Sequence, residues 1–198
     1  MCKIKEINIK VDFFAPKICI CHRKAVPLQR QTKTMTMERK DLLLKLLESG
    51  EIVSIYSPLF KGEEYSEFEK FLLTYMDNEE FGEDLGTIMG RLETIKRMGA
   101  EDRYFRYEGR SFDRVRALPA YLESSRLRLY CLCISSKVLI LGNGGVKETQ
   151  TYQEDPYLNK CVETLQKIDF EIRQRENRKE IIVKGTQLHG TLTFYIND

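Results

Sequence analysis

The chain has 198 residues, 42% of them hydrophobic and 31% charged. It is long enough to bury a core as one domain with appendages, and too apolar to be a disordered chain. The net charge of +2 says little, but no run approaches the roughly 20 apolar residues that span a bilayer, and the N-terminus has Lys3, Lys5 and Lys10 with no apolar stretch of a secretory signal. The charge is unevenly spread. Residues 1–40 carry ten Lys or Arg against three Asp or Glu, residues 41–87 three against twelve, and residues 88–130 ten against six. An acidic segment beside an arginine-rich one implies a polarised surface.

Residues 1–37 read as a basic N-terminal extension to a single domain at 38–198. The extension is patchy and weakly periodic, broken by Pro16 and Pro27 and by the polar stretch Gln29 to Thr34. Residues 1–34 are expected to be dispensable for folding, as an added segment or a start placed too far upstream. The other reading is a basic arm for nucleic acid.

Thr34 or Thr36 can cap a helix from about Glu38 to Ser49, with Leu42, Leu43, Leu46 and Leu47 as its apolar face and Gly50 at its end. Glu51 to Ser57 reads as a strand ending before Pro58. Residues 63–77 and 80–98 read as two amphipathic helices. In the second, Phe81, Leu85, Ile88, Leu92 and Ile95 recur at spacings of 4, 3, 4 and 3, and Gly99 closes it. The connector Asp77-Asn78-Glu79 makes them a helical hairpin. Strand signals follow at Arg103 to Glu108, Asp113 to Leu118, Arg126 to Ile134 and Lys137 to Leu141, with a hairpin turn at Ser135-Ser136. Gly142-Asn-Gly-Gly145 reads as a chain break that needs positive φ. It lacks the spacing of a phosphate-binding loop. Asp155-Pro156 opens a long helix to about Arg175, with Asp at the cap and Pro at its first position. Glu180 to Val183 and Leu192 to Ile196 are expected to pair around a Gly185–Gly190 turn. The fold class is therefore α+β: a small antiparallel sheet with a helical hairpin on one face, plus a C-terminal helix and β-hairpin.

Six cysteines occur, with C-x-C spacing at Cys19/Cys21 and Cys131/Cys133. On a strand this spacing puts both thiols on one face. A four-thiolate zinc site is conceivable, but Tyr130-Cys-Leu-Cys-Ile134 reads as core, and zinc sites favour C-x2-C on turns. No metal or other cofactor is expected, and a reducing, cytoplasmic compartment is.

Seven arginines and no lysine fall between Arg103 and Arg128: Arg103, Arg106, Arg110, Arg114, Arg116, Arg126 and Arg128. Guanidinium forks grip phosphate bidentately and stack on bases, which lysine does poorly. Solubility and cross-strand pairing are the competing use. In the strand from Arg126, the alternation puts Arg126, Arg128 and Tyr130 on one side and Leu127, Leu129, Cys131 and Cys133 on the other. The apolar side is expected under the helices and the arginine side open.

From Glu51 to about Gln153 the sequence resembles RelE/HigB-type toxins of bacterial toxin–antitoxin pairs. The resemblance rests on the order strand, two helices, antiparallel sheet, and on Val115-Arg-Ala-Leu118, Leu127-Arg-Leu-Tyr130, Lys137-Val-Leu-Ile-Leu141 and Gly145-Val-Lys147. It departs where Asn143-Gly-Gly145 replaces the aromatic that precedes the closing lysine, and in the extra C-terminal helix and hairpin. The resemblance implies an RelE-like fold and a growth-inhibiting, metal-independent endoribonuclease that cleaves mRNA on the ribosome. There the ribose 2′-hydroxyl attacks its own phosphate. It further implies a cognate antitoxin, of helix-turn-helix type, as partner. By resemblance Arg128 is the principal phosphate clamp with Arg126 its neighbour at the strand's edge, and Arg116, expected on one face of the adjoining strand with Arg114, is a second catalytic residue. Lys147 stabilises charge, and Tyr130 or Tyr152 stacks on a base or helps to move a proton. Arg114, Arg126 and Tyr152 would contact RNA. A half-buried sheet aromatic at Tyr130 and a solvated loop lysine at Lys147 are the plain alternatives. His22 and His189 read as solvated, so a two-histidine mechanism is not expected. The other class of function is a non-catalytic RNA- or protein-binding module on the same fold.

Overall fold

A computed structural model describes residues 39–108, 112–120 and 125–197. The basic extension, Arg110, Cys2, Cys19, Cys21 and His22 lie outside them. Among the described residues are nine strands and three α-helices. In chain order they are β1 (Arg39–Glu48), β2 (Ser54–Phe60), α1 (Glu67–Tyr75), α2 (Gly82–Met98), β3 (Arg106–Tyr107), β4 (Val115–Leu118), β5 (Leu127–Ser135), β6 (Val138–Val146), α3 (Pro156–Asn177), β7 (Ile181–Lys184), β8 (Gln187–Gly190) and β9 (Thr193–Asn197). Seven strands make one sheet in the order β3-β4-β5-β6-β2-β1-β9. Every neighbouring pair is antiparallel except β2 and β6, which run parallel. The α+β expectation holds, with its C-terminal helix and hairpin.

The helical hairpin packs as its pattern requires. Phe68 and Phe71 of α1 and Ile88, Leu92 and Ile95 of α2 share a core with Leu127, Leu129, Cys131, Leu139 and Leu141, and Cys133 packs against it. The N-terminus of α1 is fixed by Glu69, whose carboxylate accepts from both the backbone N–H (2.8 Å) and the hydroxyl (2.7 Å) of Ser66.

Four expectations are corrected. First, the segment expected as a helix at 38–49 is β1. Leu42 and Leu44 are buried, whereas Leu43 is 40% and Leu46 44% exposed. That is largely a period of two, not a helical stripe. Leucine's helix preference is weak and loses to ladders with β2 on one side and β9 on the other.

Second, the arginine side of β5 is not open. α3 lies on it, and Leu158, Val162, Leu165, Ile168 and Ile172 pack against Tyr130, Leu132, Val138 and Ile140. The sheet is thus covered on both faces. β5 is buried continuously from Leu127 to Leu132, a pattern that belongs to a doubly covered strand.

Third, Gly142-Asn-Gly-Gly145 does not break the chain but continues β6, and no positive φ occurs there. A Cβ on Gly142 would lie 2.9 Å from Leu165 Cδ1, and one on Gly144 only 1.9 Å from the carbonyl oxygen of Arg128. These glycines serve close approach rather than turning. Fourth, β7 pairs with β8 across a tight Gly185-Thr186 turn, with φ of +60° at Gly185. β9 instead completes the main sheet beside β1.

Candidate functional site

Pairing and alternation decide which charged side chains meet. Arg128 and Tyr130 project from β5 to the α3 side. β4 places Ala117 beside Tyr130, and β3 places Arg106 beside Ala117. Directly paired residues share a face, so Arg106, and Glu108 two residues on, lie on that side too. The amide of Lys147 donates to the carbonyl of Arg126 (2.8 Å), extending the β5–β6 ladder past Val146.

The result is a poorly solvated cluster. Glu108 Oε1 lies 3.4 Å from Arg106 Nε and 4.0 Å from Lys147 Nζ. Neither contact is a well-formed hydrogen bond, and that oxygen is buried without one. Arg128 is 8% exposed. One guanidinium nitrogen donates to the carbonyls of Ser125 (2.8 Å) and Leu127 (2.9 Å), while its Nε finds no acceptor among the described residues. The Tyr130 ring is fully buried, edge-on to Tyr152 at 6.3 Å, and its hydroxyl has no partner there.

The electrostatics follow from burial and crowding. Burial, and then the neighbouring Arg106, pull the Arg128 guanidinium below its usual range, although Glu108 and Tyr130 oppose this. Burial also lowers the Lys147 ammonium. Glu108 opposes that shift, while Arg106 and Arg128 add to it. Burial, and then the charge of Glu108, push the Tyr130 phenol up, so it is a donor at neutral pH. Three cations thus crowd around Glu108, with Asp84 acting on Arg128 and Glu154 on Lys147 as lesser counter-charges. An incoming anion would relieve their mutual repulsion and meet unspent donors.

Four of the seven anticipated residues, Arg128, Lys147, Tyr130 and Tyr152, fall in this region. Tyr130 and Tyr152 are both buried, so neither offers a stacking face to solvent, which corrects that expected role. The other three lie elsewhere. Arg116 pairs with Cys131 on the opposite face of the sheet. There its guanidinium stacks on Tyr107 at 4.0 Å and donates to the carbonyls of Asp113 and Val115. Arg114 precedes β4 and does not share a face with Arg116. It reaches α3, bonding Asp169 through Nε (2.6 Å) and Glu176 through Nη1 (3.1 Å). Arg126 is held by Glu80, which raises its pKa, and its guanidinium lies over Phe81. The acidic helical hairpin therefore neutralises one arginine. It also anchors the start of β5, since Asp84 accepts from the amides of Arg126 (2.9 Å) and Leu127 (3.2 Å).

Arg106 and Glu108 are the additions. Their i, i+2 spacing was visible, but β3 is two residues long, and only its pairing with β4 reveals the side they face. Among the described residues no group of His, Cys, Asp and Glu is arranged to hold a metal ion, and no helix is long and apolar enough to cross a membrane. Comparison of the chain with protein-family models, curated proteins and solved structures finds no match.

Proposed function

We propose that the chain is a toxin of RelE/HigB type that holds the backbone of single-stranded mRNA at the Arg106–Arg128–Lys147 cluster and cleaves it on the ribosome. The observation that carries this reading is the crowding of three cations at the buried Glu108 carboxylate, whose contacts of 3.4 and 4.0 Å are loose. Support also comes from the element order. β2, α1, α2, β4, β5 and β6 follow the strand, two helices and sheet of the resemblance. In the cleavage step the 2′-oxygen bonds to phosphorus and the bond to the 5′-oxygen breaks. Glu108 accepts the 2′-hydroxyl proton, and the Lys147 ammonium returns one to the departing 5′-oxygen. Arg106, the most exposed of the three cations, holds the equatorial oxygens with the charge of the buried Arg128 behind it. The cytoplasm and a cognate antitoxin belong to the same proposal.

A second reading, a non-catalytic RNA-binding module, draws on one observation. Arg128 spends one guanidinium nitrogen on backbone carbonyls, which favours a fixed binding pocket over a mobile catalytic arm. Induced expression separates the two. The toxin reading expects growth arrest with cleavage of mRNA on translating ribosomes. Lys147→Met and Arg106→Ala should each relieve it by roughly tenfold or more, the scale of one charge-assisted contact. Arg103→Ala should not, because Arg103 pairs with Glu101 outside the cluster. RNA binding that weakens steeply with salt, without cleavage, would leave the binding module. Absence of both would refute both.

A further inference from the structure

The parallel pair β2 and β6 creates a second feature. α1 follows β2 on one face of the sheet, and α3 follows β6 on the other. Connections that leave adjacent parallel strands in opposite directions open a crevice at the strands' C-terminal ends, which is where open α/β sheets bind ligands. The crevice is present here as a cavity of about 830 Å³, within the size range of small-molecule sites. Its floor runs along Gly142 and Leu165, where a Cβ on the glycine would collide with the leucine.

The groups converging on it are of three kinds. Lys40, Lys70 and Lys160 supply positive charge, while two further lining carboxylates are paired, Asp41 with Arg39 and Lys61 and Glu63 with Lys70. Glu67 and Asn143 form a polar pair inside. Asn143 Nδ2 donates to Glu67 Oε2 (3.0 Å), its Oδ1 accepts from the Gly144 amide (2.8 Å), and Lys70 holds the other carboxylate oxygen (2.7 Å). Burial raises the Glu67 pKa, while Asn143, Lys40 and Lys160 counter the rise. Tyr157, 53% exposed, contributes a flat aromatic surface.

A plain inorganic anion fits this set poorly, because the carboxylate would repel it. The complementary ligand is anionic at one end, donates hydrogen bonds at the other and has a flat face between. We propose that the crevice binds a guanine nucleotide, with the phosphate on Lys40 and Lys160, the ring against Tyr157 and the N1–H and N2–H edge on Glu67. A free nucleotide and a guanosine of single-stranded RNA present the same chemistry. The site is distinct from the Arg106–Arg128–Lys147 cluster and stands whether or not that cluster binds RNA.

The test is calorimetric titration of the full chain with 5′-GMP, 5′-AMP, inorganic phosphate and a guanine-containing single-stranded oligoribonucleotide, with amide shifts followed by NMR. Binding of GMP at least fivefold tighter than AMP and tenfold tighter than phosphate, with shifts at residues 142–144 and Thr164, is the expected result for a free nucleotide. Oligoribonucleotide binding with the same shifts but none from GMP would identify an RNA strand as the source. In either case Lys160→Glu, an exposed change, should weaken binding at least tenfold, as should Glu67→Gln, and Lys147→Met should leave these shifts intact. Equal affinity for GMP and phosphate, shifts confined to the Arg106–Lys147 region, or no response to Lys160→Glu would each overturn the proposal. Loss of RNA binding on Lys147→Met with the crevice shifts retained would bear only on the cluster.

Discussion

Asp169→Ala should destabilise the domain by about 3–5 kcal/mol, the cost of breaking a buried ion pair from one side. The Asp169 side chain is 3% exposed and sits mid-α3. Its carboxylate accepts from the Arg114 amide (3.2 Å), Arg114 Nε (2.6 Å) and Arg173 Nε (3.0 Å). Alanine would strand a largely buried guanidinium and an amide at the start of β4, and would cut the main polar tie between α3 and the sheet. For a domain of this size the midpoint of thermal unfolding should fall by roughly 10 °C. Arg173→Ala is the contrast. That side chain is 42% exposed, and its loss should cost under about 1 kcal/mol. The double change Arg114→Leu with Asp169→Leu should recover much of the single loss, because the charges it leaves unpaired, Glu176 and Arg173, are the more exposed ones. Urea unfolding followed by circular dichroism measures all three. An Asp169→Ala protein within 1 kcal/mol of the parent would mean that Glu176 alone satisfies Arg114.

The same ion pair shows why part of this fold was readable and part was not. α2 and α3 were legible because their signals are local: apolar spacing every three or four residues, Asp155-Pro156 at one start and Gly99 at the other end. α3's apolar stripe was equally visible. What it covers is a long-range fact, set by its packing on Tyr130 and Leu132, so the arginine side of β5 read as open. β1 failed because paired leucines at 42–43 and 46–47 fit a helix as well as a strand, and the partners that decide are about 15 and 150 residues away. The site divides the same way. Arg128 and Tyr130 share a side by the alternation of β5, which was visible. Lys147 came only from the resemblance, because the strand was expected to end at Leu141 and its bulged continuation to Val146 is what carries the chain to that side. Arg114, Arg116 and Arg126 were misgrouped because their directions depend on where β4 starts and on distant acids: Asp169 and Glu176 for Arg114, Glu80 for Arg126.

Gly144→Ala should disrupt the centre of the fold, at a cost on the order of 3 kcal/mol, the upper end of ordinary overpacking. Its added Cβ would lie 1.9 Å from the Arg128 carbonyl oxygen, 2.9 Å from that carbonyl carbon and 3.0 Å from Leu129 Cα. All three are backbone atoms of β5, so no side chain can swing aside. Gly144 pairs with Leu129 beside a bulge: between it and Leu141 lie Gly142 and Asn143, opposite the single residue Tyr130 of β5. Pushing the strands apart here would loosen the Arg128–Gly145 and Leu127–Val146 pairs. Those pairs hold Arg128 in the cluster and carry the chain toward Lys147. Gly86→Ala should have the opposite sign. Gly86 lies inside α2 with open space around the new methyl, and replacing a mid-helix glycine gains about 0.5–1 kcal/mol. Equilibrium unfolding of the two variants reads the difference directly. If the cluster carries function, Gly144→Ala should also lose RNA binding under conditions where it remains folded, because the contact it violates is the carbonyl of Arg128 itself. Normal stability in Gly144→Ala would show that β5 and β6 can separate at this point without penalty, and the glycine run would then need another explanation.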